Sequence, residues 1–213
     1  MSRRAAIVLM VAGTLSLVAI VIGLAGLRRE AQVDARGATA SLDAPGDSAR
    51  FEGALKPPDL RAPDFRLRTQ DGKALGMREF RGSPVIVTFL YADCEETCPP
   101  QAQQIKGALD VLGEDVPVVA VSVDPARDTP AAARRFLAEQ GMAGRMEWAL
   151  GSEAQLRPVW KGYAIQPQLR GAEHQAVIAL VDARGVQRIG FPLGQATPER
   201  IAHDVRLLAA EAG

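Results

Sequence analysis

Cys94 and Cys98 are the only thiols in the 213-residue chain, and three residues separate them. Thiols so spaced can close a disulfide, hold a soft metal ion as thiolates, or attack a disulfide of another molecule. With one imidazole added, the donor set suits Cu(I), and with a fourth ligand Zn(II). Mg(II) and Ca(II) seek oxygen and do not fit it. The cysteine count excludes an iron–sulfur cluster held by four thiolates. Spacing alone leaves a plain disulfide and a metal site both open. Asp93, Glu95 and Glu96 crowd the pair. Carboxylates disfavour a neighbouring thiolate, so they are expected to oppose the acidification found at a helix N-terminus and to make a slow attacking thiol. A cation site tolerates them, and so does a solvated loop.

The loop lies between two elements that the pattern predicts. Residues 84–90 (PVIVTFL) are apolar and branched, as in a strand buried on both faces. Residues 101–112 follow helical spacing behind Pro99 and Pro100, whose missing N–H groups cost nothing in a first turn. Proline restricts the residue before it, so Cys98 is expected at the helix cap, outside the helix. Both thiols then sit at the carboxyl end of a strand, where open α/β sheets place their sites.

Residues 116–123 read as a second buried strand, and Thr129 with Pro130 opens a helix to about Gln140. A short strand (146–150) and a helix (153–163) follow. Residues 176–181 read as a third apolar strand, turned by Asp182-Ala183-Arg184-Gly185 into 186–191, and a helix over 198–212 closes the chain. Crossovers imply parallel strands and the hairpin adds antiparallel ones, which predicts an α/β fold with a central mixed sheet flanked by helices. If 176–181 runs antiparallel to 84–90, its start shares the edge where 84–90 ends. His174, two residues earlier, then stands opposite the cysteine loop. The other histidine, His203, falls off the apolar face formed by Ile201, Val205 and Leu208 and reads as a surface residue.

Charge balances at 25 basic against 25 acidic residues, which leaves no basic footprint for nucleic acid. Residues 5–27 carry no charge. At 1.5 Å per residue they make about 35 Å of helix, enough to span a hydrocarbon core and longer than the usual core of a secretory signal. Residues 1–29 are therefore expected to be a single-pass anchor. Arg3 and Arg4 on one side and Arg28 and Arg29 on the other leave the positive-inside rule nearly tied. The part that carries the thiols is expected outside the cytoplasm, where close cysteines can oxidise. Residues 30–60, rich in Ala, Gly, Asp and Pro, read as a tether with a reach of about 30 Å, and 61–213 as one domain.

Three pieces together resemble the Sco/SenC family of membrane-anchored copper-binding proteins. They are Phe89-Leu90-Tyr91-Ala92-Asp93-Cys94-Glu95-Glu96-Thr97-Cys98-Pro99, Ser122-Val123-Asp124-Pro125-Ala126-Arg127-Asp128-Thr129-Pro130, and Glu173-His174 before an apolar strand. The resemblance covers about 61–213 and implies a thioredoxin-like fold behind an N-terminal transmembrane helix. It implies copper, as Cu(I) or Cu(II), held by Cys94, Cys98 and His174. It also implies maturation of the dinuclear copper centre of a respiratory haem–copper oxidase, by delivering copper or by reducing that centre's cysteines. The implied partners are an oxidase subunit and a copper donor protein, and the implied place is the cytoplasmic membrane with the C-terminal domain in the periplasm. The spacing adds the expectation that oxidised protein closes a Cys94–Cys98 redox disulfide.

Two rivals stand beside this reading. A membrane-anchored thiol–disulfide oxidoreductase is one, although thioredoxin-like enzymes favour two residues between their cysteines. A peroxidase is the other, because Ala62-Pro63-Asp64-Phe65 and Phe80-Arg81-Gly82 also occur in peroxiredoxin-like chains. It needs an arginine beside one reactive thiol.

Overall fold

The strand Val85–Leu90 is buried along its whole length, so it must lie inside a sheet covered on both faces. The computed structural model describes residues 50–114, 116–166 and 177–212. Its elements in chain order are β1 (Ala54–Leu55), β2 (Leu67–Arg68), β3 (Ala74–Leu75), β4 (Val85–Leu90), α1 (Cys98–Leu112), β5 (Val118–Ser122), α2 (Pro130–Glu139), β6 (Glu147–Ala149), α3 (Glu153–Gly162), β7 (Val177–Val181), β8 (Gln187–Pro192) and α4 (Pro198–Ala210). Six strands form one sheet in the order β1-β8-β7-β4-β5-β6, and β2 pairs with β3 in a small hairpin.

β4, β5 and β6 are parallel neighbours, while β7 runs antiparallel to β4 and β8 antiparallel to β7. This is the mixed sheet expected from the crossovers and the hairpin. Alternation along β4 divides the core. Ile86 and Leu90 pack with Ile105 and Leu109 of α1, Phe136 of α2, and Ile201, Val205 and Leu208 of α4. Val85, Val87 and Phe89 pack with Leu156, Val159 and Trp160 of α3 and with Leu67 and Leu75 of the hairpin. Each such side chain contributes about 1.5–3 kcal/mol by leaving water.

Two boundaries differ from expectation. Cys98 is the first residue of α1 and Thr97 the cap. Pro99 disfavours the helical region for Cys98 without forbidding it, and the Cys98 N–H is held there by a bond to Cys94 Sγ at 3.1 Å. The second difference is that residues 50–60 belong to the fold, where a tether was expected up to 60. β1 adds to the sheet, with Ala54 opposite Gly190 and Leu55 opposite Ile189. Phe51 is buried, with the guanidinium groups of Arg50 and Arg188 at 5.9 and 5.6 Å from its ring centre. The fully buried Asp204 carboxylate accepts the N–H groups of Glu52 at 2.8 Å and Gly53 at 2.9 Å. Gly53 lies so close to β8 that a Cβ there would stand 2.3 Å from Ile189 and 2.7 Å from Phe191.

The apolar run 5–27 and residues 30–49 lie outside the described residues. Among the described residues no helix is long and apolar enough to cross a membrane.

Candidate metal centre

β4 ends at Leu90, and the loop that follows turns back through a bond from Cys94 N to Tyr91 O at 3.3 Å. Cys94 and Cys98 are free, buried thiols. Cys94 Sγ accepts the first N–H of α1, from Cys98, at 3.1 Å and lies 3.4 Å from Thr97 Oγ1. A hydrogen bond from the Cys98 thiol does most to push the Cys94 thiol down, to about 4. Burial works against it, and bonds from the Thr97 and Tyr91 hydroxyls and the Cys98 N–H add to it. Burial pushes the Cys98 thiol far up, and its bond to Cys94 adds to this. Burial and the same contact with Cys94 push the Tyr91 hydroxyl up. These contacts favour the charge on Cys94 and the proton on Cys98.

This overturns the expectation that the three acids make a poor setting for a thiolate. Asp93 turns to Arg135, 3.3 Å away, and Glu95 and Glu96 are exposed to water. Donors in direct contact with a buried sulfur outweigh carboxylates screened by solvent. Tyr91 and Thr97 belong to the site and were not singled out from the sequence. Their role depends on a loop path that residue type alone does not specify.

The loop leaving β5 braces the cysteine loop from the side. Asp128 is 7% exposed. It accepts the Ala92 N–H at 2.7 Å and the Ser122 hydroxyl at 2.5 Å. Asp124 pairs with Arg127 at 2.5 Å, and Thr129 caps α2 by accepting the Ala132 N–H at 3.1 Å. The Ser-Val-Asp-Pro-Ala-Arg-Asp-Thr-Pro run is thus a support for the cysteine loop.

Burial pushes the Asp128 carboxyl up to about 6, against the Ser122 and Ala92 bonds that lower it. A raised carboxyl stabilises the fold below its unfolded value, near 4, and that contribution is lost as pH rises through about 6. A shift of this size corresponds to about 3 kcal/mol. Asp128→Asn keeps an acceptor for Ala92 and removes the titration. Urea unfolding of both proteins from pH 4 to 7 is expected to show the wild type losing about 2 kcal/mol of that relative to the variant between pH 4 and 6. A difference that stays flat across that range would rule this out.

The register sets Val85 opposite Val181 and Thr88 opposite Ile178, so the start of β7 shares the edge where β4 delivers the cysteine loop. His174 lies three positions before Val177 and outside the described residues. His203 is half exposed and sits 3.0 Å from the Asp204 carboxylate, consistent with a surface residue. Among the described residues no group of three or more His, Cys, Asp or Glu is placed to hold a metal ion. The two sulfurs fit a soft ion.

The SCO1/SenC family model matches residues 54–210. The chain belongs to the SCO1/SenC family. Protein SenC of Rhodobacter capsulatus is 29% identical over 151 residues, covering 66% of this chain and 67% of the relative. The structure of Bradyrhizobium japonicum ScoI with copper bound is 30% identical, covers 70% of this chain and 99% of that one, and has a TM-score of 0.60. BsSco, described as a member of the Sco family of cytochrome c oxidase assembly proteins, is 24% identical, with a TM-score of 0.64 over 74% of this chain and 98% of its own, and shares the fold. Peroxiredoxin Q of Triticum aestivum is 30% identical over 98 residues, which is 43% of this SCO1/SenC chain and 45% of the relative.

Proposed function

We propose that the chain is a copper chaperone, in which Cys94, Cys98 and His174 hold one copper ion as cargo for the dinuclear copper centre of a respiratory haem–copper oxidase. The observation that carries this reading is the pair of free, buried thiols Cys94 and Cys98 at the sheet edge where β7 starts. It stands in a SCO1/SenC chain similar over 70% of its length to a copper-bound ScoI. Loading Cu(I) through both thiolates would release the remaining thiol proton to solvent. A copper donor protein supplies the ion and an oxidase subunit receives it. The proposal includes a single-pass anchor at 5–27 with the C-terminal domain in the periplasm. Alkaline phosphatase fused after Gly213 is then active, and an inactive fusion would place the domain in the cytoplasm.

The test of the ligand set is a pair of histidine variants. If a ligand in a thiolate-rich site is worth about 3 kcal/mol, His174→Ala lowers Cu(II) affinity by about a hundredfold. It also shifts or abolishes the thiolate-to-Cu(II) absorption, while His203→Ala leaves both unchanged. Equal affinity and spectrum in His174→Ala would remove that residue from the site.

The acidity of Cys94 favours a second reading, thiol–disulfide exchange. Cys94 Sγ attacks one sulfur of a partner disulfide, and the bond breaks with its electron pair on the other partner sulfur. Cys98 then loses its proton and attacks Cys94, which frees the partner as a dithiol and leaves a Cys94–Cys98 disulfide. A disulfide-reductase assay on the sample used for copper titration separates the two readings. The geometry gives no matching support to a peroxidase: Cys98, Thr97 and Tyr91 do most to hold the thiolate, and the nearby Arg127 is engaged by Asp124 at 2.6 Å.

A further inference from the structure

From Asp64 to Thr69 burial alternates strictly: Phe65, Leu67 and Thr69 are buried, and Asp64, Arg66 and Arg68 are exposed. That is the period of an extended strand. Arg66 and Arg68 therefore stand on one face, about 7 Å apart along the chain. The main chain of Arg68 is tied to the exit of β6: its N–H donates to the Leu150 carbonyl at 3.1 Å, and its carbonyl accepts the Leu150 N–H at 2.8 Å. A Cβ on the next residue, Gly151, would stand 2.6 Å from the Leu67 side chain, so the hairpin is pressed onto the sheet. Between the hairpin and the loops that enter α2 and α3 lies a cleft of about 530 Å³, a size usual for a ligand site. Arg66, Arg68, Asp128, Pro130 and Gly151 line it. Because β4, β5 and β6 are parallel, the cleft opens at the same sheet edge as the cysteine loop, where α/β sheets place ligands.

The charge available in the cleft is positive. The Arg66 guanidinium has no partner among the described residues, and that of Arg68 donates to the Gly72 carbonyl at 2.9 Å and meets no carboxylate among them. The acids close by are engaged. Asp64 pairs with Arg78 at 2.5 Å and Asp71 with Arg134 at 3.8 Å. Asp128 accepts the Ala92 N–H and the Ser122 hydroxyl. We propose that this cleft docks an acidic segment of the protein that meets the thiols, an extended peptide with one carboxylate for Arg66 and a second, two positions on, for Arg68. Guanidinium groups bind carboxylates in a planar fork, and alternate side chains of an extended peptide repeat the spacing of the two arginines. A peptide so held is adjacent to the support of the cysteine loop, since Asp128 of the cleft wall holds Ala92, two residues before Cys94. The exposed Glu95 and Glu96 beside the thiols repel an acidic segment and keep it to the cleft. The choice of a protein as the occupant rests on the transfer function proposed above.

The test uses the full-length chain, reduced and free of copper, in a non-ionic detergent. The probe is a capped pentapeptide with glutamates at its second and fourth positions, titrated into isotope-labelled protein and followed by NMR. The amide signals of residues 66–74, 150 and 151 are expected to shift and saturate, with an affinity that falls as salt rises. A counterpart with two glutamines is expected to bind about tenfold more weakly, and the acidic peptide to lose about tenfold on a variant carrying Arg66→Gln and Arg68→Gln. Should thermal unfolding show that this variant does not fold, Arg66→Gln alone, which gives up no contact among the described residues, is expected to lose about threefold. Equal binding of the two peptides, or equal binding of the acidic one by a folded variant, would overturn the proposal. So would free glutarate binding as tightly as the peptide, since the cleft would then be a site for small dianions. Copper affinity of the arginine variants is expected to stay within about twofold of wild type, because neither side chain reaches the thiols. A failed peptide titration beside normal copper binding would therefore overturn this proposal alone.

Discussion

Reduced protein carrying Cys94→Ser and Cys98→Ser together is expected to lose about four orders of magnitude in Cu(I) affinity. Structural thiolate sites bind their metal with about 10–16 kcal/mol spread over four donors. Two donors on that scale carry about 6 kcal/mol, or about four powers of ten. Serine hydroxyls do not replace them, because they stay protonated and are hard oxygen donors. Both side chains lie in one core with Ile105 and Leu109, and serine nearly preserves their volume, so the variant is expected to fold with a modest loss of stability. Competition against a chromophoric Cu(I) chelator measures the affinity. A double variant that binds within tenfold of wild type would take both thiols out of the site.

The second large effect is in the pH profile of the thiols. In fully reduced protein, iodoacetamide is expected to modify Cys94 and to leave Cys98 unreacted. The rate should stay nearly constant from pH 9 to about 5 and fall only as pH approaches 4, where the Cys94 thiolate takes up its proton. An ordinary thiol, with a pKa near 8.5, loses about tenfold in rate for each unit below that value. At pH 6 the two behaviours differ by about two to three orders of magnitude. Because Cys94 is buried, the absolute rate is slow and the shape of the profile is diagnostic. A depressed thiol stabilises the fold above its unfolded pKa, and that contribution is lost as pH falls through the folded value. The reduced protein should therefore become less stable towards pH 4, opposite in sign to the Asp128 effect. A rate that climbs tenfold per pH unit from 6 to 8 would show that the contacts around Cys94 do not hold an anion.

The features legible in the sequence were those written in local pattern. Branched apolar runs predicted β4, β5 and β7, and Thr129-Pro130 predicted the start of α2, all within about two residues of their observed ends. Crossover logic then brought the start of β7 to the cysteine edge, as the pairing of Thr88 with Ile178 shows. Contacts between distant residues were not legible. Residues 50–60 have the composition of a tether, and they fold because Asp204, more than 150 positions away, holds the N–H groups of Glu52 and Gly53. The acidity of Cys94 was misjudged for a related reason. Counting charged neighbours in the chain gave Asp93, Glu95 and Glu96 a weight that the folded loop removes by turning them to Arg135 and water.

The strap at 50–55 also decides where this protein can be cut. A chain begun at Arg61 lacks β1, and β8 becomes the outer strand of the sheet. Its unpaired N–H and C=O groups, previously matched to Ala54 and Leu55, then form an open template for a second molecule. The same cut strips Asp204 of its two main-chain donors and leaves a carboxylate in the core with His203 beside it. Self-association of such a fragment would reflect the missing edge cover and would say nothing about the thiols, so soluble versions of the domain need to begin before Arg50.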